Sequence, residues 1–222
     1  MKSYVIAVIG SEFVGKSEAC RYIQGILTKE YGLSCGVIDE VVNACPFPAQ
    51  MSSTVESQQW ILETQHRLLL AVDGVFDVLV LDRTFLDNAF GYWQWAAKKE
   101  RLPIDKIEAH LNHWGLELTK ELTDLVIFLH NFPATREMMW DGRRQADPEW
   151  REECYRAIQR GVELFRAYTS TPKVVDVYSP LERIPLNSEE ARMAQRVVLR
   201  RVGELVKAEL PNIRRKCGKL KS

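Results

Sequence analysis

Short, uninterrupted apolar runs punctuate the chain at Tyr4–Ile9, Cys35–Ile38, residues 78–81, Leu125–Leu129 and residues 174–177. None alternates apolar with polar, so each reads as a strand buried on both faces of a parallel sheet. Between them the apolar positions recur at helical spacing. Residues 15–31 put Ala19, Tyr22, Ile23, Ile26 and Leu27 on one side and stop at Gly32. Residues 52–71 carry Trp60, Ile61, Leu68 and Leu69; residues 86–99 and 104–122 read as two helices split by Pro103. A further helix is predicted over 150–168, and a last one from Ser188 to about Leu210, where Pro211 should end it. Residues 45–48 and 140–148 read as loops.

Strands alternating with helices predict an α/β fold of three layers: a five-stranded parallel sheet with helices on both faces. There is no repeat, low-complexity run or linker, so residues 1–212 read as a single domain. The remaining 213–222 are basic and are expected to be a flexible tail.

Composition narrows the classes. The 222 residues are 46% hydrophobic and 27% charged, with a net charge of zero. That supplies a real core and argues against a generic polyanion binder, nucleic acid included. Five cysteines without a Cys-x-x-Cys pair suit reduced thiols and a cytoplasmic setting. The first apolar run is too short for a signal peptide, and none is long enough to span a bilayer.

Gly10-x4-Gly15-Lys16-Ser17 sits between the first strand and the first helix. This is the pattern of a phosphate-binding loop. Its backbone N–H groups, over Gly10, Ser11, Glu12, Phe13, Val14, Gly15, Lys16, Ser17 and Glu18, would wrap phosphate oxygens at a helix N-terminus. Lys16 would reach the terminal phosphates, and the Ser17 hydroxyl would ligate Mg²⁺. GTPase signatures are missing: there is no Asn-Lys-x-Asp and no Asp-x-x-Gly after the third strand. Asp39-Glu40 comes too early after the loop for a mechanical ATPase.

Asp82-Arg83, at the end of the third strand, falls on the edge where open parallel sheets bind ligands. Asp82 could hold the Mg²⁺ water shell or accept a proton, and Arg83 could fork onto a substrate phosphate or hydroxyl. The alternative is a structural ion pair. Arg143, Arg144 and Arg151 cluster in or beside the polar loop at 140–151, which could close as a lid over a triphosphate. Phe85, Phe90, Tyr92, Trp93, Trp95 and Trp60 could stack a base or simply pack the core. His110 and His113 are three apart on a predicted helix, a metal-ligand spacing that no third ligand completes.

In their order, the loop at 10–17, Asp82-Arg83-x3-Asp87 and Asp141-Gly142-x-Arg144 with Arg151 resemble the P-loop family containing the ribosylnicotinamide kinases. That family is similar to the thymidylate and deoxynucleoside kinases. The resemblance covers about residues 4–178. It implies a P-loop kinase fold with a lid, ATP and Mg²⁺ as cofactors, and phosphoryl transfer to a small nucleoside or nucleoside monophosphate. It maps the acidic residue after the second strand onto Glu40, the strand-three pair onto Asp82 and Arg83, and the lid arginines onto Arg143, Arg144 and Arg151. Residues Tyr178-Ser179-Pro180 stand where related folds cradle adenine. A regulatory ATP-binding protein and a polynucleotide 5′-kinase are the competing readings. Whether Glu40 or Asp82 serves as base stays open, and a homodimer is compatible with the sequence.

Overall fold

The computed structural model describes residues 2–12, 14–130, 147–178 and 189–219. Among them, five strands form one sheet: β1 (Tyr4–Ile9), β2 (Cys35–Ile38), β3 (Val78–Asp82), β4 (Leu125–Leu129) and β5 (Lys173–Val177). Their order is β2-β3-β1-β4-β5, and every pairing is parallel. All carboxyl ends therefore lie along one edge. The register sets Val8 of β1 opposite Asp82 of β3 and Ile9 opposite Phe128 of β4.

Alternation along β1 divides the core in two, because successive side chains face opposite sides of a sheet. Val5, Ala7 and Ile9 face one layer, and Tyr4, Ile6 and Val8 face the other. The second layer is built by α1 (Lys16–Lys29), through Ala19, Cys20, Ile23 and Leu27, and by α6 (Glu189–Lys216), through Val198, Val202, Val206 and Ile213.

The first layer holds α2 (Val55–Val72), two rods and α5 (Pro148–Tyr168). The rod α3 comprises α-helical Phe85–Asp87, π-helical Asn88–Trp93 and α-helical Gln94–Lys99. The rod α4 likewise joins α-helical Ile104–His110, π-helical Leu111–Glu117 and α-helical Leu118–Leu122. Fully buried side chains such as Ile6, Leu62, Leu81 and Phe165 each stabilise the fold by about 1.5–3 kcal/mol.

Local chemistry explains most boundaries. Thr54 caps α2 by accepting from Ser57 N, and the Ser57 hydroxyl oxygen accepts from Thr54 N in return. Asp147 caps α5, with Pro148 in the first turn. Pro211 does not end α6, contrary to the sequence reading; the helix runs on to Lys216. Its interior proline costs about 3 kcal/mol. Buried Ile213 and Cys217 offset that, as do ion pairs from Lys216 to Asp124 and Lys219 to Asp77. The segment expected to fray is therefore docked as far as residue 219. No described helix is long and apolar enough to cross a membrane.

Candidate active site

The loop after β1 turns back on itself through Gly10, whose φ of +148° excludes most side chains. A Cβ there would also stand 2.6 Å from the Leu129 carbonyl oxygen. Gly15, at φ +83°, then swings the chain into α1, which begins at Lys16. Lys16 is buried and donates to the Ser11 carbonyl at 2.6 Å. Burial, and the nearby Arg83 charge, hold its ammonium below the usual lysine range. Glu18 is exposed in the first turn of α1, and Val14 is half-buried.

Ser17 and Asp82 meet at the centre of this edge. The Ser17 hydroxyl donates to Asp82 Oδ2 at 2.5 Å. Asp82 is buried, and its Oδ1 has no hydrogen-bond partner. Burial raises its carboxyl pKa, while Lys16 and the Ser17 hydrogen bond pull it back. A buried carboxylate oxygen left open beside a serine hydroxyl suits a hard divalent cation or its water shell. The pair therefore fits Mg²⁺. Among the described residues no group of three His, Cys, Asp or Glu side chains could hold a metal by itself.

Arg83 organises the rest. It is 3% exposed and holds a left-handed φ of +78°, uncommon for a residue with a Cβ. Its Nη2 donates to Glu12 at 2.6 Å and its Nε to Glu40 at 2.6 Å. Its Nη1 is shared among the Tyr92 hydroxyl at 2.8 Å, the Gly10 carbonyl at 3.2 Å and Asp87 at 3.4 Å. Its main chain is fixed too: the N–H donates to the Val8 carbonyl, and the carbonyl accepts from Gln65 Nε2. Burial alone would lower its pKa, but Tyr92, Glu40, Glu12 and Asp87 hold it well above the ordinary value.

A narrow pocket with a cavity volume of about 20 Å³ lies between the tips of β2 and β3. Glu12, Glu40, Asp82 and Arg83 line its charged end, and Gln58, Gln65, Asn88, Tyr92 and Trp150 its inner walls. Asn88 Nδ2 donates to Gln65 Oε1 at 2.9 Å, so the two amides are fixed in one orientation. Arg151, at the start of α5, is buried and donates from Nε to the Glu12 carbonyl at 2.9 Å. Burial lowers its pKa to about 10.

Of the residues singled out from sequence, Gly10, Ser11, Glu12, Val14, Gly15, Lys16, Ser17, Glu40, Asp82, Arg83 and Arg151 converge on this edge. Phe13, Arg143 and Arg144 lie outside the described residues, as does most of the expected lid at 140–151. At Arg83 the arrangement is that of the ion-pair alternative: its N–H groups point at Glu12, Glu40, Asp87, Tyr92 and the Gly10 carbonyl. The aromatic residues divide. Phe85, Phe90 and Trp93 pack the core, whereas Tyr92 puts its hydroxyl on Arg83 and its ring centre 4.4 Å from the guanidinium carbon. His113 pairs with Glu117 on the surface, and His110 stacks on Trp93.

Sequence reasoning missed Gln58, Gln65, Asn88 and Trp150 as pocket residues and Asp87 as a partner of Arg83. The signal for Gln58 and Gln65 was available: they are polar, yet they lie on the same side of α2 as the apolar Ile61 and Leu62. Tyr178, beyond β5, is exposed and stacks on His130 at 4.0 Å. His130 is in turn held by Asp176 and Tyr155, each at 2.9 Å.

No protein-family model and no curated protein matches the chain. Solved structures do. Deoxyadenosine kinase from M. mycoides, with products dCMP and a flexible dCDP bound, aligns at a TM-score of 0.57 and 15% identity. That alignment covers 94% of this chain and 99% of that one. The same enzyme with bound dCTP gives 0.50 at 14% identity, covering 90% and 99%. Thymidylate kinase from Ehrlichia chaffeensis gives 0.53 at 10% identity, covering 90% and 98%. At such identities the likeness is one of fold: an α/β architecture shared with P-loop nucleoside and nucleotide kinases.

Proposed function

Starting from that shared fold, we propose that the chain moves the γ-phosphoryl group of Mg·ATP onto a hydroxyl of a small nucleoside. The observation that carries this reading is the state of Arg83. An acceptor that already bears a phosphate needs an open cation beside it. Here the guanidinium is directed at Glu12, Glu40, Asp87, Tyr92 and the Gly10 carbonyl. Three carboxylates, Glu12, Glu40 and Asp82, face the same pocket and would repel a second phosphate. A neutral hydroxyl meets neither obstacle.

In this mechanism the main-chain N–H groups of residues 10–18 and the Lys16 ammonium hold the triphosphate. Mg²⁺, held through Ser17 and Asp82, would offset charge on the phosphate oxygens when bound. Asp82 belongs to the donor side through its hydrogen bond with Ser17. That leaves Glu40, at the mouth of the pocket, to orient the acceptor hydroxyl and take its proton. Tyr92 and Trp150 offer aromatic walls, and Gln58, Gln65 and Asn88 offer donors and acceptors to the edge of a flat base. Arg151 braces the loop by its bond to the Glu12 carbonyl, while Arg143 and Arg144 would supply lid charge. Tyr178, backed by His130, offers a platform for the donor base. Positioning and fixed charge supply the rate. The M. mycoides deoxyadenosine kinase, seen with dCMP as a product, supports the acceptor class.

The test is a coupled ADP-release screen of the full chain with Mg·ATP. The panel is ribosylnicotinamide, the common nucleosides and their monophosphates. Turnover with one or more nucleosides, and none with the matching monophosphates, is the expected result. Turnover with monophosphates alone overturns the acceptor assignment. ATP binding with no acceptor-dependent release would make the chain a nucleotide sensor.

A further inference from the structure

Arg83 sits in a left-handed conformation at the tip of β3, and something must hold it there. Asp87, one turn along α3, is the residue that touches both its ends. It is fully buried, and its Oδ1 accepts from the Thr84 main-chain N–H at 2.7 Å, just past the bend. Its Oδ2 faces Arg83 Nη1 at 3.4 Å. Arg83 Nη1 in turn donates to the Gly10 carbonyl at 3.2 Å. Asp87 thus holds the bend and the guanidinium directly, and through that guanidinium it is linked to Glu40 and to the first glycine of the phosphate loop.

We propose that Asp87 is a positioning residue for the transfer, keeping the donor loop and the Glu40–Arg83 acceptor pair in one register. The proposal rests on the kinase reading. Asp87 touches no substrate in it and acts through Arg83 and the Thr84 main chain. Burial supports the assignment, since it pushes the Asp87 carboxyl up to about 6, against the pull of Arg83, the Thr84 N–H and Lys16. The charged groups around it are Arg83, just past β3, and Lys16 from α1, and the neutral Tyr92 hydroxyl faces it from α3. Glu12 and Glu40 share Arg83 with it, and on α5 Arg151 and Cys154 face Tyr92 and Glu12. A charge kept where burial disfavours it is a mark of functional sites.

The competing role is a simple helix cap, for Asp87 reaches back to Thr84 as a third helical residue does. A cap needs only an acceptor oxygen, and asparagine supplies one. The test is therefore a comparison of Asp87→Asn with Asp87→Ala in the full chain. If Asp87 positions the site, Asp87→Asn melts close to wild type, yet its kcat falls by about tenfold to a hundredfold with KM for ATP little changed. Asp87→Ala should match that kcat and melt lower. The acid limb that wild type shows near pH 6 should shrink in Asp87→Asn, leaving that of the Glu40 base. Wild-type kcat and an unchanged acid limb in Asp87→Asn would reduce Asp87 to a cap. Should the wild-type chain prove to phosphorylate nothing, the kinase reading fails separately. Amide exchange over residues 8–12 then decides the register claim: it must accelerate about tenfold in Asp87→Asn while residues 125–129 stay unchanged. Equal exchange in the two proteins overturns it.

Discussion

The two ends of the sheet each carry a knot of aspartates and cations, and they behave in opposite ways. At the amino end, Asp77 accepts from the Ser34 main-chain N–H, the Ser34 hydroxyl and Lys219, each at 2.7 Å. Asp124 there accepts from Val5 N at 2.7 Å and Lys216 at 2.6 Å. Burial would raise the Asp77 carboxyl, but hydrogen bonds from Lys219 and Ser34 override it and hold its pKa below the usual value. At the carboxyl end, burial wins: Asp82 and Asp87 are both raised. There one carboxylate oxygen stays open, and one arginine bends into a left-handed turn. The first knot satisfies its charges and clamps α6 to the sheet. The second keeps charges at a cost to stability, which is what a site held ready for a ligand does.

The sharpest way to break this comparison is Lys16→Ala. If the carboxyl end is the working end, phosphoryl transfer should fall by about a thousandfold or more, because a charge-stabilising donor is lost. The fold should survive. Undiminished ADP release in that variant would strip the loop of its role.

The reciprocal variant is Asp77→Asn, at the other end. It keeps the shape but gives up the charge facing Lys219, and should cost about 1–2 kcal/mol in a denaturant titration. The kcat should not move. The sign with pH is fixed by the lowered pKa. Asp77 stabilises the fold above its unfolded value near 4, and that contribution is lost as acid protonates the native carboxylate. The variant should therefore lose its deficit relative to wild type below about pH 4. A drop in kcat with intact stability would mean that the amino end reaches the chemistry.

How much of this was legible in the sequence depends on how local each feature is. The strands were, because each is a continuous apolar run: Cys35–Ile38 and Leu125–Leu129 match residue for residue. The tight loop between β1 and α1 was, because Gly10, Gly15, Lys16 and Ser17 carry their spacing with them. The π-helical turns in α3 and α4 were not, since Asn88–Trp93 has an ordinary helical pattern. Nor was the fate of Arg83. Its partners Glu12 and Glu40 stand 71 and 43 positions away, and only the sheet order brings them together. Pro211 misled for the same reason: a local helix breaker is overruled by Ile213 and Cys217, which are buried in the same core cluster as Tyr4, far back along the chain. The sequence thus offered the residues that gather at this edge, but not their pairings.

The smallest effect is expected at a third place, where charge is absent and should remain so. His110 stacks on Trp93 with ring centres 3.4 Å apart and planes within 7°. Burial, with His113 adding to it, lowers its pKa to about 4. A histidine kept neutral by the fold favours the native state above its unfolded pKa near 6.5. It loses that contribution as pH falls towards 4, because the unfolded chain takes up the proton first. Wild type should therefore melt progressively earlier between pH 6.5 and 4.5, and His110→Phe should lose that part of the slope. The ring is partly solvated, so the difference between the two should stay below about 4 °C. Parallel melting curves across this range would show that the stack tolerates the proton. Stability there would then owe nothing to excluding charge, and the contrast between the two ends of the sheet would stand alone.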